Sequence, residues 1–226
     1  LLGVVLPLLV RAWPHDMVTF HKVFRQAFLL LVIAGAAAAV AFAVVAGPAL
    51  TSLFQAPQSA ALPARVLVLG QALNFFSQLC AMTLIATGRH RIYPYASLAG
   101  VITNVALNLV LIPRYSATGS GIATVITEVV VIAVMVVIIW RIPGVRPFPW
   151  RSVAIVAVAA GALAASIAWL QQAIPWPVAL LAGLPIYLLV LHVLRVDGPG
   201  GLRKLVRDSR IDLAAASVPA APSAPA

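Results

Sequence analysis

Polar side chains interrupt three otherwise apolar segments of this chain. Arg65, Gln71, Asn74 and Gln78 fall in one, Asn104 and Asn108 in the next, and Ser120, Thr124, Thr127 and Glu128 in a third. Gln71, Asn74 and Gln78 recur at helical spacing and lie near one face, with Arg65 about one and a half turns before Gln71. Asn104 and Asn108 are one turn apart. Polar groups inside lipid are costly, and they usually face a bundle interior or a wet cavity. Amides and a guanidinium there would supply donors for an anionic or hydrogen-bonding substrate. Glu128 is the only acidic residue within any apolar segment. It reads as a proton or cation site, as a partner for a buried Arg, or as a hydrogen-bonding partner of neighbouring Thr or Asn that only orients helices. For the two asparagines, interhelical hydrogen bonding stands beside substrate contact.

These residues need apolar elements to hold them. The segments are 1–10, 27–46, 63–87, 92–112, 118–140, 152–170 and 174–194. The chain is 63% hydrophobic and 9% charged, where a soluble domain carries about 25% charged residues. Mean hydropathy is +1.07. Segments 27–46, 118–140 and 174–194 each hold roughly 20 mostly apolar residues, enough to span a hydrocarbon core. Backbone groups in lipid must be satisfied within the segment, which dictates helices. The expected fold is an all-α integral membrane bundle of about seven transmembrane helices. The first is expected to be the end of a span whose start lies upstream of Leu1.

Charge sets the expected topology. Arg11, Lys22 and Arg25 fall in gap 11–26, Arg89 and Arg91 in gap 88–91, and Arg141, Arg146 and Arg151 in gap 141–151. The tail adds Arg195, Arg203, Lys204, Arg207 and Arg210, so only Arg65 and Arg114 fall on the other side. Cytoplasmic loops carry the excess of Lys and Arg. The basic gaps and the C-terminus are therefore expected in the cytoplasm. A formal charge of +10 would suggest nucleic acid in a soluble protein. Spread over four gaps it fits topology and contact with anionic lipid headgroups instead, so no nucleic acid partner is expected.

Local signals refine this outline. The amphipathic stretch 13–26, continued by Phe28, places Phe20, Phe24 and Phe28 at helical spacing, and it either lies at the interface or extends the next helix. Gly35, Ala39, Ala43 and Gly47 form a small-residue stripe for close helix approach. Gly47-Pro48 and Ala56-Pro57 read as turns, Arg114–Thr118 as a very short loop, and Pro185 as a kink. The Ala-Pro-Ser tail cannot build a core and is expected to be disordered. Cys80 is the only cysteine, which excludes an intramolecular disulfide. No phosphate-binding loop, metal-ligand spacing or acidic pair is present, so neither an enzyme nor a cofactor is expected.

The stretch Asn104-Val-Ala-Leu-Asn108-Leu-Val-Leu-Ile-Pro113-Arg-Tyr-Ser-Ala-Thr-Gly119-Ser-Gly121-Ile-Ala-Thr124-Val-Ile-Thr-Glu128 resembles the C-terminal half of polysaccharide-biosynthesis flippases. These belong to the multidrug/oligosaccharidyl-lipid/polysaccharide exporter superfamily. The family pattern runs Asn, Leu-Asn, Leu-Ile-Pro, a Tyr-Gly-like turn, Gly-Ala-Ala and Ala-Thr; Ser116 and Ser120 depart from it mildly. Leu84-Ile-Ala-Thr-Gly88-Arg89 and Pro48-Ala-Leu-Thr-Ser-Leu-Phe54 are also similar to the family. The resemblance covers roughly 1–140.

It implies the C-terminal bundle of a 12–14-helix transporter that works by alternating access. Residues 1–140 would form that bundle, 141–194 an added helix pair, and 195–226 a cytoplasmic tail. The implied function is movement of a lipid-linked oligosaccharide or polysaccharide precursor across the bacterial cytoplasmic membrane. Partners would be the lipid-linked glycan, membrane lipids, the missing N-terminal half of the transporter and glycan polymerase or other synthesis machinery. Arg65, Gln71, Asn74, Gln78, Asn104 and Asn108 would bind substrate, and Glu128 would couple an ion. A cation-coupled multidrug antiporter, or a non-transporting scaffold working through the basic tail, are the alternatives. Residues 1–226 alone are expected to be inactive.

Overall fold

The computed structural model describes residues 2–142 and 149–194, and every regular element among them is helical. α1 spans Leu2–Ala12, α2 Met17–Phe54, α3 Ala61–Ala86, α4 Tyr93–Trp140, α5 Trp150–Leu170 and α6 Trp176–Val193. Short 3-10 turns at Gln58–Ala60 and His90–Ile92 lead into α3 and α4. Among the described residues, five helices are long and apolar enough to cross a membrane. α1, with 11 residues, is only about 16 Å long, half a hydrocarbon core.

α4 contains two of the expected segments in 48 residues, and it is not one rod. Ser116 has φ 50° and ψ −130°, outside helical geometry. Asn104 Nδ2 lies 3.3 Å from Thr127 Oγ1, 23 residues away in sequence; a straight helix would hold them about 34 Å apart. The chain therefore reverses at Ser116 into two antiparallel arms, 93–115 and 117–140. The reversal is tight enough that a Cβ on Gly119 would collide with the Leu111 carbonyl. The loop expected at Arg114–Thr118 shrinks to little more than one residue, because proline's fixed φ suits a helix and the first arm continues past Pro113.

α2 is longer than segment 27–46 at both ends. Asp16 caps its start by accepting from the Thr19 N–H at 2.9 Å. Residues 17–26 of the amphipathic stretch form the start of this helix, and 13–16 make the turn that leads into it. Its aromatic face is covered: Phe20, Phe24 and Phe28 are buried, and Phe28 meets Phe76 of α3 with ring centroids 5.3 Å apart. The turn expected at Gly47-Pro48 is absent. The φ that proline imposes is helical, and the Thr51 hydroxyl donates to the Gly47 carbonyl at 3.0 Å, so α2 runs on to Phe54. It ends instead at Gln55, in the left-handed region with φ 52°, directly before the expected Ala56-Pro57 turn. α6 is continuous from Trp176 to Val193 with Pro185 inside it.

α3 lies between α2 and the α4 hairpin, while α5 and α6 pair on each other and on α2. A Cβ on Gly35 would meet the Ala72 side chain of α3 at 3.8 Å, whereas one on Gly47 would meet nothing within 4 Å, so the small-residue stripe is used in part. The α5–α6 pair is fixed to α2 at two heights. The Tyr187 hydroxyl donates to the Ile33 carbonyl at 2.7 Å, and Trp176 Nε1 donates to Ser52 Oγ at 3.1 Å.

One apolar core joins α1, the start of α2, the end of α3 and both ends of α4. It gathers the gaps carrying Arg11, Lys22 and Arg25, Arg89 and Arg91, and Arg141 and Arg151 at one end of the bundle. The turns at 55–60, Ser116 and 171–175 occupy the other end, as alternation requires. Arg146 and the tail 195–226, with the cations and disorder expected there, lie outside the described residues.

Candidate functional site

Close packing of α3 on the second arm of α4 sets the site. The two run parallel. A Cβ on Gly121 would stand 3.1 Å from Val66 Cγ1, and one on Gly70 would stand 3.2 Å from Thr124 Cγ2. Backbones approach this closely where side chains are small. The same register, one turn further along, brings Asn74 to Glu128: Asn74 Nδ2 donates to Glu128 Oε1 at 3.0 Å. The reversal at Ser116 then places the first arm alongside. Asn104 Nδ2 donates to Thr127 Oγ1 at 3.3 Å, and Asn108 Nδ2 donates to Asn104 Oδ1 at 2.9 Å. The Thr124 hydroxyl turns back to the Ser120 carbonyl at 3.0 Å. Asn74, Asn104 and Glu128 each sit near the middle of their helix or arm, about 18 Å from its ends.

Glu128 is only half satisfied. Its Oε1 accepts from Asn74, whereas its Oε2 is buried and has no hydrogen-bonding partner among the described residues. A buried carboxylate oxygen without a partner is costly, and a proton or a cation on it relieves that cost. Among the described residues no three His, Cys, Asp or Glu side chains cluster. A cation at Glu128 would thus complete its shell with amide and hydroxyl oxygens.

These groups border a cleft of about 330 Å³. α3 contributes Asn74, Ser77 and Gln78, the first arm Tyr93, Ser97 and Asn104, and the second arm Thr127 and Glu128. Of the residues singled out from sequence, the structure brings Asn74, Gln78, Asn104 and Glu128 together in the cleft, and Asn108 joins through its bond to Asn104. Gln71 and Arg65 are exposed on α3 and do not line it. Arg65 is nine residues before Asn74, two and a half helical turns, and so projects from the opposite face of α3. Gln71 shares the face of Gln78 but lies two turns away from it along α3. Ser77, Tyr93 and Ser97 are cleft residues that the polar stripes missed. A signal existed for two of them: Tyr93, Ser97, Asn104 and Asn108 follow one another at helical spacings of four, seven and four.

Comparison of the chain with protein-family models, with curated proteins and with solved structures returned no match.

Proposed function

We propose that this chain is part of a transporter that moves a lipid-linked oligosaccharide or polysaccharide precursor across the bacterial cytoplasmic membrane. The observation that carries the reading is the polar cleft with its Asn74–Glu128 pair, set at mid-height in helices long enough to cross a membrane. Transporter sites lie near the bilayer midplane, where polar groups are otherwise rare. In this reading each arm of α4 spans the membrane, and the basic end faces the cytoplasm. The bundle forms one of two halves that rock about the cleft. Glu128 couples transport to an ion by taking a proton or a cation on its free oxygen, and Asn74, Gln78, Asn104 and Asn108 contact substrate. The sequence resemblance to polysaccharide flippases supports the substrate class.

The test is glycolipid translocation in proteoliposomes by the full natural protein, with Asn74→Ala and Gln71→Ala variants at equal protein level. The expected result is a loss of about tenfold or more for Asn74→Ala, and a smaller loss for Gln71→Ala, which stands outside the cleft. Unchanged translocation by Asn74→Ala removes the cleft assignment.

One observation favours a second reading. The unpartnered Oε2 of Glu128 suits a cation-coupled multidrug antiporter. Loss of drug resistance in Glu128→Gln, with glycan export intact, would select it.

A further inference from the structure

We propose, resting on the flippase reading, that this cleft receives the carbohydrate part of the substrate and that the diphosphate of its lipid carrier binds elsewhere. The cleft has two layers. Its floor is committed: Asn74 is tied to Glu128 at 3.0 Å and Asn104 to Thr127 at 3.3 Å. Its rim is not: Gln78, Tyr93 and Ser97 line the cleft, are exposed, and make no side-chain hydrogen bond to another described residue.

The rim chemistry is an amide, a phenol and a hydroxyl. Each both donates and accepts, which matches sugar hydroxyls. Val101 and Val105, also lining the cleft, add apolar surface for the C–H faces of a sugar ring. A diphosphate is recognised differently. It calls for Arg or Lys in charge-assisted hydrogen bonds, and among the described residues no Lys, Arg or His lines the cleft. A volume of about 330 Å³ sits at the small end of the range for ligand sites, about 300–1,000 Å³. It admits a short glycan segment.

The experiment compares two lipids in proteoliposomes holding the full natural protein: the host's glycan-bearing carrier lipid and the same isoprenyl diphosphate without sugar. Wild type is set against Gln78→Ala/Ser97→Ala and Tyr93→Ala. All three positions are exposed, so the variants keep the packed helices intact. The expected result is a fall of about tenfold in the ratio of glycan-bearing to sugar-free lipid binding, the scale of one or two lost hydrogen bonds. An unchanged ratio, with wild type active, overturns the carbohydrate assignment and leaves the flippase reading standing. An equal loss for both lipids places the diphosphate in the cleft and also overturns it. Wild type that moves no glycolipid removes the flippase reading itself. In that case, binding of tetraphenylphosphonium that is lost in Glu128→Gln assigns the cleft to a lipophilic cation.

Discussion

The Asn74–Glu128 hydrogen bond joins residues 54 apart in sequence, and its strength is measurable. Side-chain hydrogen bonds between membrane helices average about 0.6 kcal/mol and reach about 1.7 kcal/mol. A double-mutant cycle with Asn74→Ala and Glu128→Ala, read by thermal unfolding in detergent, is expected to give a coupling in that range. Zero coupling would mean that the pair is not engaged in the folded protein. The two residues were legible individually, because an amide or a carboxylate in an apolar segment stands out. Their pairing was not, since it depends on the register between α3 and the second arm. Register also explains Arg65: counting turns along one helix places it away from Asn74, whereas membership of one apolar segment wrongly groups them.

Among the elements, the α4 hairpin makes the sharpest prediction. Gly119→Ala drives a methyl group into the Leu111 carbonyl, and backbone cannot yield as a flexible side chain can. Overpacking of this kind costs about 1–3 kcal/mol or more, so the melting temperature in detergent should fall clearly. Gly47→Ala, with no neighbour within 4 Å, serves as the neutral control. A Gly119→Ala variant as stable as wild type would contradict the tight reversal. The start of α2 gives a pH prediction. Hydrogen bonds from Thr19, the side chain first and the backbone second, hold the exposed Asp16 carboxylate below its ordinary pKa. Its capping contribution is thus full above the unfolded-state pKa and lost as pH falls through the lower folded value. Asp16→Ala should lower α2 stability at neutral pH and make little difference once Asp16 is protonated in strong acid. Spans and most boundaries were readable from hydropathy. Gly47-Pro48 misled because a proline ends a helix only where its lost N–H or ring cannot be accommodated.

For the whole molecule, packing collects the described basic gaps at one end through the shared core of α1, α2, α3 and α4. That arrangement was legible from charge alternation alone, whereas the packing of α5 and α6 on α2 rests on bonds such as Tyr187 to Ile33 that no periodicity announces. Cys80 is buried, so a Cys80→Ala background suits cysteine labelling. His90→Cys should react with an impermeant thiol reagent only from the cytoplasmic side, and Tyr115→Cys only from outside. Reaction of both from one side would contradict the hairpin crossing the membrane. The central claim is that the cleft around Asn74 and Glu128 carries a lipid-linked glycan in exchange for an ion. The most direct measurement is glycolipid flipping by the full natural protein in proteoliposomes, with and without a proton or sodium gradient, for wild type and Glu128→Gln. Gradient-driven flipping that slows about tenfold or more in Glu128→Gln is the predicted result. No flipping by correctly inserted wild type, or equal rates in the two proteins, would contradict it.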